Sequence, residues 1–402
     1  MKIAVVIPGD WYSDNPSKFS VNLHLYTDAI RSLGHDPVIV CRNDSEYTAS
    51  DPVVSVAAEV FCQPSFWRDL NLDVAIVFTW LRHSALLSAL RDAEVYTVSR
   101  ADVDGMMSVR VFPKHHFMLT MSGAGISLKT LASLRHLLRR YTTLYKAADA
   151  ETLASLNMAQ AIMIETEAAQ ANIHQLLLHY QEKHLATKLF VQPHYAPLDF
   201  LTHDISPRRA EKIVAIGRWD DPQKNVILLT KALNLYLSKH PNTEVILIGR
   251  GGEDAFAPLT SAYDNVKYLG VVTRDKIKFH LAECRLILFT SRWEGAPVSA
   301  SETLALGGTI VGTPIPGIQG FVMNGAYGTV SKGHKPAHIA DALEEEMTLW
   351  EEGKRDAGQI AEFWRSKLSA LNSMSKIIQM ANEYSETKRS TLNGTAITTN
   401  VS

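Results

Sequence analysis

The chain has 402 residues, and at roughly 100–200 residues per domain that length favours two or three domains over one core. Forty Lys and Arg against forty-two Asp and Glu leave a formal charge of −2, with 46% hydrophobic and 20% charged residues. This is a globular composition, and it disfavours a duplex-binding basic domain, a disordered chain and a coiled coil. Cys41, Cys62 and Cys284 are widely spaced and lack CxxC spacing, so they are expected as core residues of a reducing compartment. The opening MKIAVVIPGD holds too short an apolar run for a signal-peptide core, and no stretch approaches the eighteen apolar residues of a membrane span. The expected location is cytoplasmic, at most peripheral at the inner face of a membrane.

Short β-branched apolar runs alternate with helix-period segments from end to end, the pattern of βαβ units with parallel sheets covered on both faces. In the first half strands are predicted at Ile3–Ile7, Val38–Cys41, Val74–Phe78, Val95–Val98, Phe117–Thr120, Ala161–Ile164 and Leu189–Gln192. Asn22–Leu33 keeps helical spacing through Leu23, Tyr26, Ala29, Ile30 and Leu33, and Gly34 supplies the stop. At about Leu198 to Glu211 the text APLDFLTHDISPRRAE, with Pro197 and Pro207, has mixed charge and no periodicity and reads as a linker. A second α/β series follows, with strands at Ile213–Ile216, Val245–Ile248, Val266–Leu269, Leu286–Phe289, Thr309–Val311 and Gly328–Val330 and helices at about Val226–Lys239 and Pro297–Leu306. Ile360–Tyr384 carries apolar residues at helical spacing and is expected as one long packed helix. The expected division is an N-terminal Rossmann-like domain over 1–200 on the acceptor side, and a C-terminal one over 201–365 on the donor side. A helix over 366–386 packs back towards the first, followed by a frayed tail over 387–402.

The stretch Leu286–Gly317, LILFTSRWEGAPVSASETLALGGTIVGTPIPG, carries the most chemistry. A strand ends near Ser291, a loop through Arg292, Trp293, Glu294, Gly295 and Ala296 follows, and Pro297 occupies the expected first helical position ahead of Val298. The free N–H groups and dipole of that helix make an anion site suited to a phosphate. Glu294 and Glu302 would stand about 12 Å apart along a continuous helix at about 1.5 Å per residue. That exceeds the roughly 5–9.5 Å of paired glycosidase carboxylates, so a carboxylate here is better used on sugar hydroxyls. Both acids also suit a helix N-terminus with no ligand. Gly249-Arg250-Gly251-Gly252 after a strand either cradles a phosphate or turns the chain.

Glu294-x7-Glu302, together with GRWDDPQKN at Gly217–Asn225, resembles family 4 of the retaining GT-B glycosyltransferases. The resemblance covers about residues 211–320 and implies two Rossmann-like domains facing an interdomain cleft, with a nucleotide-sugar donor on the C-terminal one. It implies that Arg218 and Lys224 hold the donor diphosphate, that Glu294 lies at the transferred sugar and that Glu302 lies at the ribose. Catalysis is then expected from Arg218, Lys224 and Glu294. The donor is expected to touch Gly217, Arg218, Lys224, Gly249, Arg250, Glu294, Gly295, Ala296, Pro297, Val298 and Glu302. The substrate would be a UDP- or GDP-sugar, the reaction hexosyl or pentosyl transfer to an acceptor hydroxyl, and no cofactor or metal is expected, since cations at the leaving phosphate can carry the charge.

The N-terminal half departs from the family pattern. Its first loop, Pro8-Gly9-Asp10-Trp11, has a single glycine, and the family's mid-domain histidine is replaced in YTVSRAD by Ser99 and Arg100. Gly9, Asp10, Arg100 and Asp102 are the acceptor-side candidates. These departures leave two alternatives, a non-catalytic GT-B scaffold and a nucleotide-sugar epimerase. From Gly105 to Ala148 there is no Asp or Glu but seven Lys and Arg. Leu131, Leu134, Leu138, Tyr141 and Tyr145 form a stripe there, with Arg135, Arg139, Arg140 and Lys146 off it. One use is a helix packed on the core. The other is a face, over about 126–146, for an anionic acceptor such as a lipid-linked phosphate sugar, or for the anionic membrane itself.

Overall fold

The computed structural model describes residues 1–8, 16–42, 52–79, 81–101, 103–122 and 128–398. Two parallel sheets organise them, each flanked by helices. The first has seven strands, β1 (Lys2–Ile7), β2 (Asp36–Arg42), β3 (Val53–Val56), β4 (Val74–Thr79), β5 (Tyr96–Ala101), β6 (Ala161–Ile164) and β7 (Leu189–Val191), in the order β3-β2-β1-β4-β5-β6-β7. Helices α1 (Pro16–Ser32), α2 (Pro64–Asp69), α3 (Ser84–Asp92), α4 (Pro113–Ser122), α5 (Leu128–Arg139), α6 (Tyr145–Met158) and α7 (Glu167–His179) accompany it. The second has six strands, β8 (Ala210–Ile216), β9 (Glu244–Ile248), β10 (Val266–Tyr268), β11 (Cys284–Phe289), β12 (Thr309–Gly312) and β13 (Gly328–Val330), in the order β10-β9-β8-β11-β12-β13. Helix α8 (Leu198–Leu201) precedes it. Helices α9 (Val226–Leu237), α10 (Glu253–Ala262), α11 (Arg274–Glu283), α12 (Val298–Ala305), α13 (Pro316–Val322), α14 (Pro336–Glu351), α15 (Ala357–Leu368) and α16 (Ala370–Thr398) follow in order.

Every residue of β4 and β5 is buried, as a parallel strand covered on both faces requires. One face of the first sheet packs Ile3, Val5 and Ile76 with Leu23, Tyr26 and Ile30 of α1, and the other packs Val6 and Val77 with Trp67 of α2 and Leu87 and Leu90 of α3. The second sheet has the same two-sided core, with Leu304, Ile318 and Trp364 on one side and Leu229, Leu233 and Leu343 on the other.

The chain passes between the sheets twice, and the two crossings lie side by side. Ala196 N–H donates to Leu368 O (3.1 Å), Gln192 Nε2 to Lys367 O (2.7 Å) and Tyr195 OH to Ser373 Oγ (2.7 Å). Helix α15 packs Ile360, Trp364 and Leu368 into the second core, whereas α16 packs Met374, Ile377, Ile378 and Ala381 into the first.

Several sequence expectations are corrected. Phe117–Thr120 lies within helix α4 and is not a strand. β5 pairs directly with β6, Val98 opposite Ala161, so the sheet has no place for it, and a four-residue apolar run does not distinguish strand from helix. The predicted single helix over 360–384 breaks at Ser369, whose extended φ −74°, ψ 118° ends α15. Beyond it α16 continues through 387 to Thr398, and Lys388 reaches Glu94 at 2.9 Å. β3 was not expected, and β5 runs on through Ser99, Arg100 and Ala101.

Met374 is fully buried where α16 meets the first sheet. Met374→Ala should cost about 2–5 kcal/mol, the range for truncating a buried aliphatic side chain, and should lower the unfolding midpoint in urea. An unchanged midpoint would show that α16 is not integral to that core.

Candidate active site

In each sheet the strand order reverses between two neighbouring strands, β1 and β4 in the first, β8 and β11 in the second. Connections leave such neighbours towards opposite faces, which opens a crevice beyond their carboxyl ends. β8 and β11 pair directly, Ile213 opposite Leu286 and Val214 opposite Ile287. The loops that follow them, Gly217–Asn225 and Thr290–Pro297, therefore emerge side by side although they lie about seventy positions apart in the chain.

The first loop is seated from below. Trp219 is buried, its Nε1 donates to Ile248 O (3.0 Å) and its ring lies against Phe256, centroids 5.2 Å apart. Trp219 N–H donates to Arg250 O (2.9 Å), which ties this loop to the one after β9. Gly249 has φ +124°, and a Cβ there would fall 1.8 Å from Gly217 O, so only glycine fits. The glycine cluster thus turns the chain tightly against the Gly217 loop, with Arg250 on the solvent side 3.7 Å from Asp220.

The two motif loops are stitched together by polar contacts. Lys224 Nζ lies 2.5 Å from Glu294 Oε1, and Ser291 Oγ donates to the same oxygen at 2.6 Å. Gln223 Nε2 donates to Trp293 O (2.8 Å) and Glu294 Oε2 (3.2 Å), and Arg292 N–H returns a bond to Gln223 O (2.8 Å). Thr290 Oγ1 donates to Lys224 O at 2.9 Å. The Lys224 and Glu294 side chains are only 16% and 8% exposed, and charges so placed are tolerable only when paired and hydrogen-bonded. An ammonium has three donors, so the bond to Glu294 leaves capacity for an anion. Arg218 is more open, with its guanidinium 2.9 Å from Asp221 Oδ2.

Helix α12 begins at Val298. Pro297 has extended backbone (φ −65°, ψ 126°) and is its N-cap, one position earlier than its expected first-turn place. Gly295 and Ala296 lie in the loop, ahead of the first-turn N–H groups that a helix start leaves free. Glu294 is consequently off the helix, and the separation estimated along a continuous helix does not describe the pair. The acids sit in separate settings, Glu294 on Lys224 and Glu302 on Arg274, 2.7 Å away at the start of α11. Arg274 lies over the buried Phe200 ring, 5.1 Å from its centroid. Burial pushes the Glu302 carboxyl up to about 7, against the opposing pull of Arg274.

On the first domain's side, Gly9, Asp10 and Asp102 lie outside the described residues. Arg100 is wholly buried, donating to Gln192 O (2.6 Å) and lying 3.2 Å from His194 Nδ1 and 3.4 Å from Glu165 Oε1. Gln223 and Ser291 lie within the two motif stretches, but spacing alone gives them no role. Arg274, Glu165 and His194 belong to no spacing pattern, and only the fold brings them to the crevice. Among the described residues, no group of three His, Cys, Asp or Glu is placed to hold a metal ion.

Glu302 ionises above its ordinary value of 4.5, so burial favours its neutral form. Its contribution to stability is fully present below about pH 4.5 and is lost as pH rises through about 7. Glu302→Gln cannot ionise. The variant's unfolding midpoint should improve relative to the parent between pH 5 and pH 8, and parallel profiles would refute the shift.

Residues 210–348 match the family model described as "Glycosyl transferases group 1". A phosphatidyl-myo-inositol mannosyltransferase of Mycolicibacterium smegmatis is 35% identical over 48 residues, a stretch that spans 12% of this chain and 12% of that relative's length. Over the whole fold, the Anabaena protein HepE in complex with UDP superposes with a TM-score of 0.60 at 15% identity, covering 97% of this chain and 100% of that one. A glycosyltransferase from Rickettsia africae gives 0.62 at 14% identity, covering 95% and 98%. The chain has the GT-B fold of two Rossmann-like domains, and its second domain is related to the group 1 glycosyl transferases.

Proposed function

We propose that the chain is a glycosyltransferase that moves a hexosyl or pentosyl group from a UDP- or GDP-sugar to an acceptor hydroxyl with retention of configuration. The observation that carries this reading is the Lys224–Glu294 pair, which joins the two donor motifs at the carboxyl ends of β8 and β11. Cleaving a sugar–diphosphate bond develops negative charge on the departing phosphate and positive charge at the anomeric carbon. Lys224, Arg218 and the first turn of α12 supply fixed positive charge and N–H groups for the phosphate. Glu294 lies beside them for the sugar, and the carboxylate form of Glu302 accepts from ribose hydroxyls. Attack by the acceptor from the face the phosphate leaves retains configuration, and closure of the domains keeps water from the activated sugar. Supporting the donor class, relatives of the same fold are described as complexes with UDP and with UDP-glucose.

The acceptor side of the proposal rests on α4, α5 and the turn that follows. Phe117 and Met118 of α4, Leu138 of α5 and Leu144 beyond it are exposed apolar residues, Leu138 by 64%. α5 packs against α4, and along the stripe Leu134, Tyr141 and Tyr145 are half-buried whereas Leu138 is exposed. Arg110 lies over the Tyr141 and Tyr145 rings at 4.9 and 4.6 Å. Apolar side chains among seven cations and no acid from Gly105 to Ala148 suit peripheral contact with an anionic lipid surface carrying a lipid-linked acceptor.

Thermal stabilisation by a panel of nucleotides and nucleotide sugars comes first, since a ligand that binds only the native state raises its apparent stability. Arg218→Ala/Lys224→Ala should then lower turnover of the selected donor by at least about 10²-fold, the scale for removing preorganised charge stabilisation. Unchanged transfer in the double variant would refute the mechanism. Binding without any turnover would point to a scaffold, and sugar isomerisation without an acceptor to an epimerase. Sedimentation with phosphatidylglycerol vesicles, but not phosphatidylcholine vesicles, should capture the parent protein and not the Arg135→Gln/Arg139→Gln/Arg140→Gln variant. Equal recovery of both proteins would remove the membrane contact.

A further inference from the structure

The first domain buries an ion pair that its apolar core does not need. Arg100 and Glu165 have side-chain exposures of 0% and 2%, and they sit at the carboxyl ends of β5 and β6, on the crevice side of the first sheet. An apolar pair of similar volume often serves stability as well, so a buried ion pair is weak evidence of a stabilising role. His194, just past β7, completes the cluster with Nε2 2.5 Å from Glu165 Oε1 and Nδ1 3.2 Å from the Arg100 guanidinium. A guanidinium only donates, so Nδ1 accepts and Nε2 carries the hydrogen given to Glu165. With both ring nitrogens engaged, His194 holds the carboxylate in place.

The other oxygen of this carboxylate meets the second domain. A Cβ at Gly295 would fall 2.8 Å from Glu165 Oε2, and a Cβ at Gly320 would fall 2.5 Å from Thr166 Cβ. The turn between β6 and α7 therefore rests on two glycines of the facing domain, one of them the residue after Glu294. Beside this contact a cavity of about 100 Å³ lies in the seam, lined by Thr166 and Gln192 from one domain and Gly320, Phe321 and Trp364 from the other. α13 packs against α7 beside this cavity, and at the Glu294 loop itself the first-domain atom nearest a Cβ at Gly295 is Glu165 Oε2, with Val103 next at 3.9 Å.

We propose that Glu165, fixed by Arg100 and His194, is a positioning residue that sets the sugar-side loop Glu294–Val298 against the first domain across the cleft. This rests on the donor reading above and adds to it a residue from the opposite domain. A displacement of about 1 Å in a reacting group can cost about a hundredfold in rate, so the effect belongs in turnover and not in nucleotide affinity, which the second domain provides.

The test is a double-mutant cycle of Glu165→Ala and Gly295→Ala, read by hydrolysis of UDP-glucose, or of GDP-mannose if the panel selects it, together with UDP or GDP titration. Each single variant should lower kcat about tenfold or more, and in Glu165→Ala KM and nucleotide affinity should stay within about twofold. The double variant should be no slower than Glu165→Ala alone, because the methyl at 295 then meets no carboxylate. Glu165→Gln, which keeps the volume, should fall between parent and Glu165→Ala. Multiplicative losses, or unchanged kcat in Glu165→Ala, would overturn the proposal. Should Glu165→Ala not fold, Gly295→Ala and Glu165→Gln still decide, since unchanged kcat in both overturns it. A parent protein that binds no nucleotide refutes the donor reading and the positioning role with it. The same cycle in thermal unfolding midpoints then reports separately whether the cross-domain contact exists.

Discussion

The arrangement of this protein depends on the reversal of strand order between β8 and β11. Two hydrogen-bonded neighbours whose connections leave towards opposite faces must open a gap at their carboxyl ends, and the loops that follow them must share it. Everything charged in the candidate site follows from that placement. Lys224 and Glu294 could not be held 2.5 Å apart by local structure, and their pairing makes the burial of each tolerable. The same pair ties the loop before α12 to the loop after β8.

Around this junction, tight backbone contact replaces bulk. Trp219 fills the space under the Gly217 loop, and Gly249 admits the Gly217 carbonyl where any side chain would collide. The result is a site built on strand ends and a helix start, with the acids divided between two partners. Glu294 shares its proximity with Lys224, whereas Glu302 is buried with Arg274 and ionises near neutrality. Two carboxylates that look like a pair in the sequence thus have different electrostatic settings and different uses.

The two domains meet where α13 packs against α7 and at two further places. Paired crossings of the chain tie them at one end, and the Glu165–Thr166 turn touches Gly295 and Gly320 at the crevice. α16 belongs to the first core although the sequence before it belongs to the second.

Local physics made much of this legible in the sequence. Buried parallel strands are continuous apolar runs, so most strands of both sheets are visible in the sequence to within a few residues, with Arg218, Lys224 and Glu294 in loops after strands and Glu302 on the helix that follows, while the family resemblance singles out the first two. Where local signals were weak or contradictory, reading failed. The short run at 117–120 fits strand and helix equally, the polar Ser99 and charged Arg100 disguise the last residues of β5, and nothing in composition marks the extended Ser369. Tertiary structure alone decided which charges meet. Arg274 with Glu302, Glu165 with Gly295, and His194 with Arg100 are partners separated by between 28 and 130 positions, and no periodicity relates them. Their proximity is created by strand order and domain docking, which depend on the summed packing of the whole chain rather than on any segment of it.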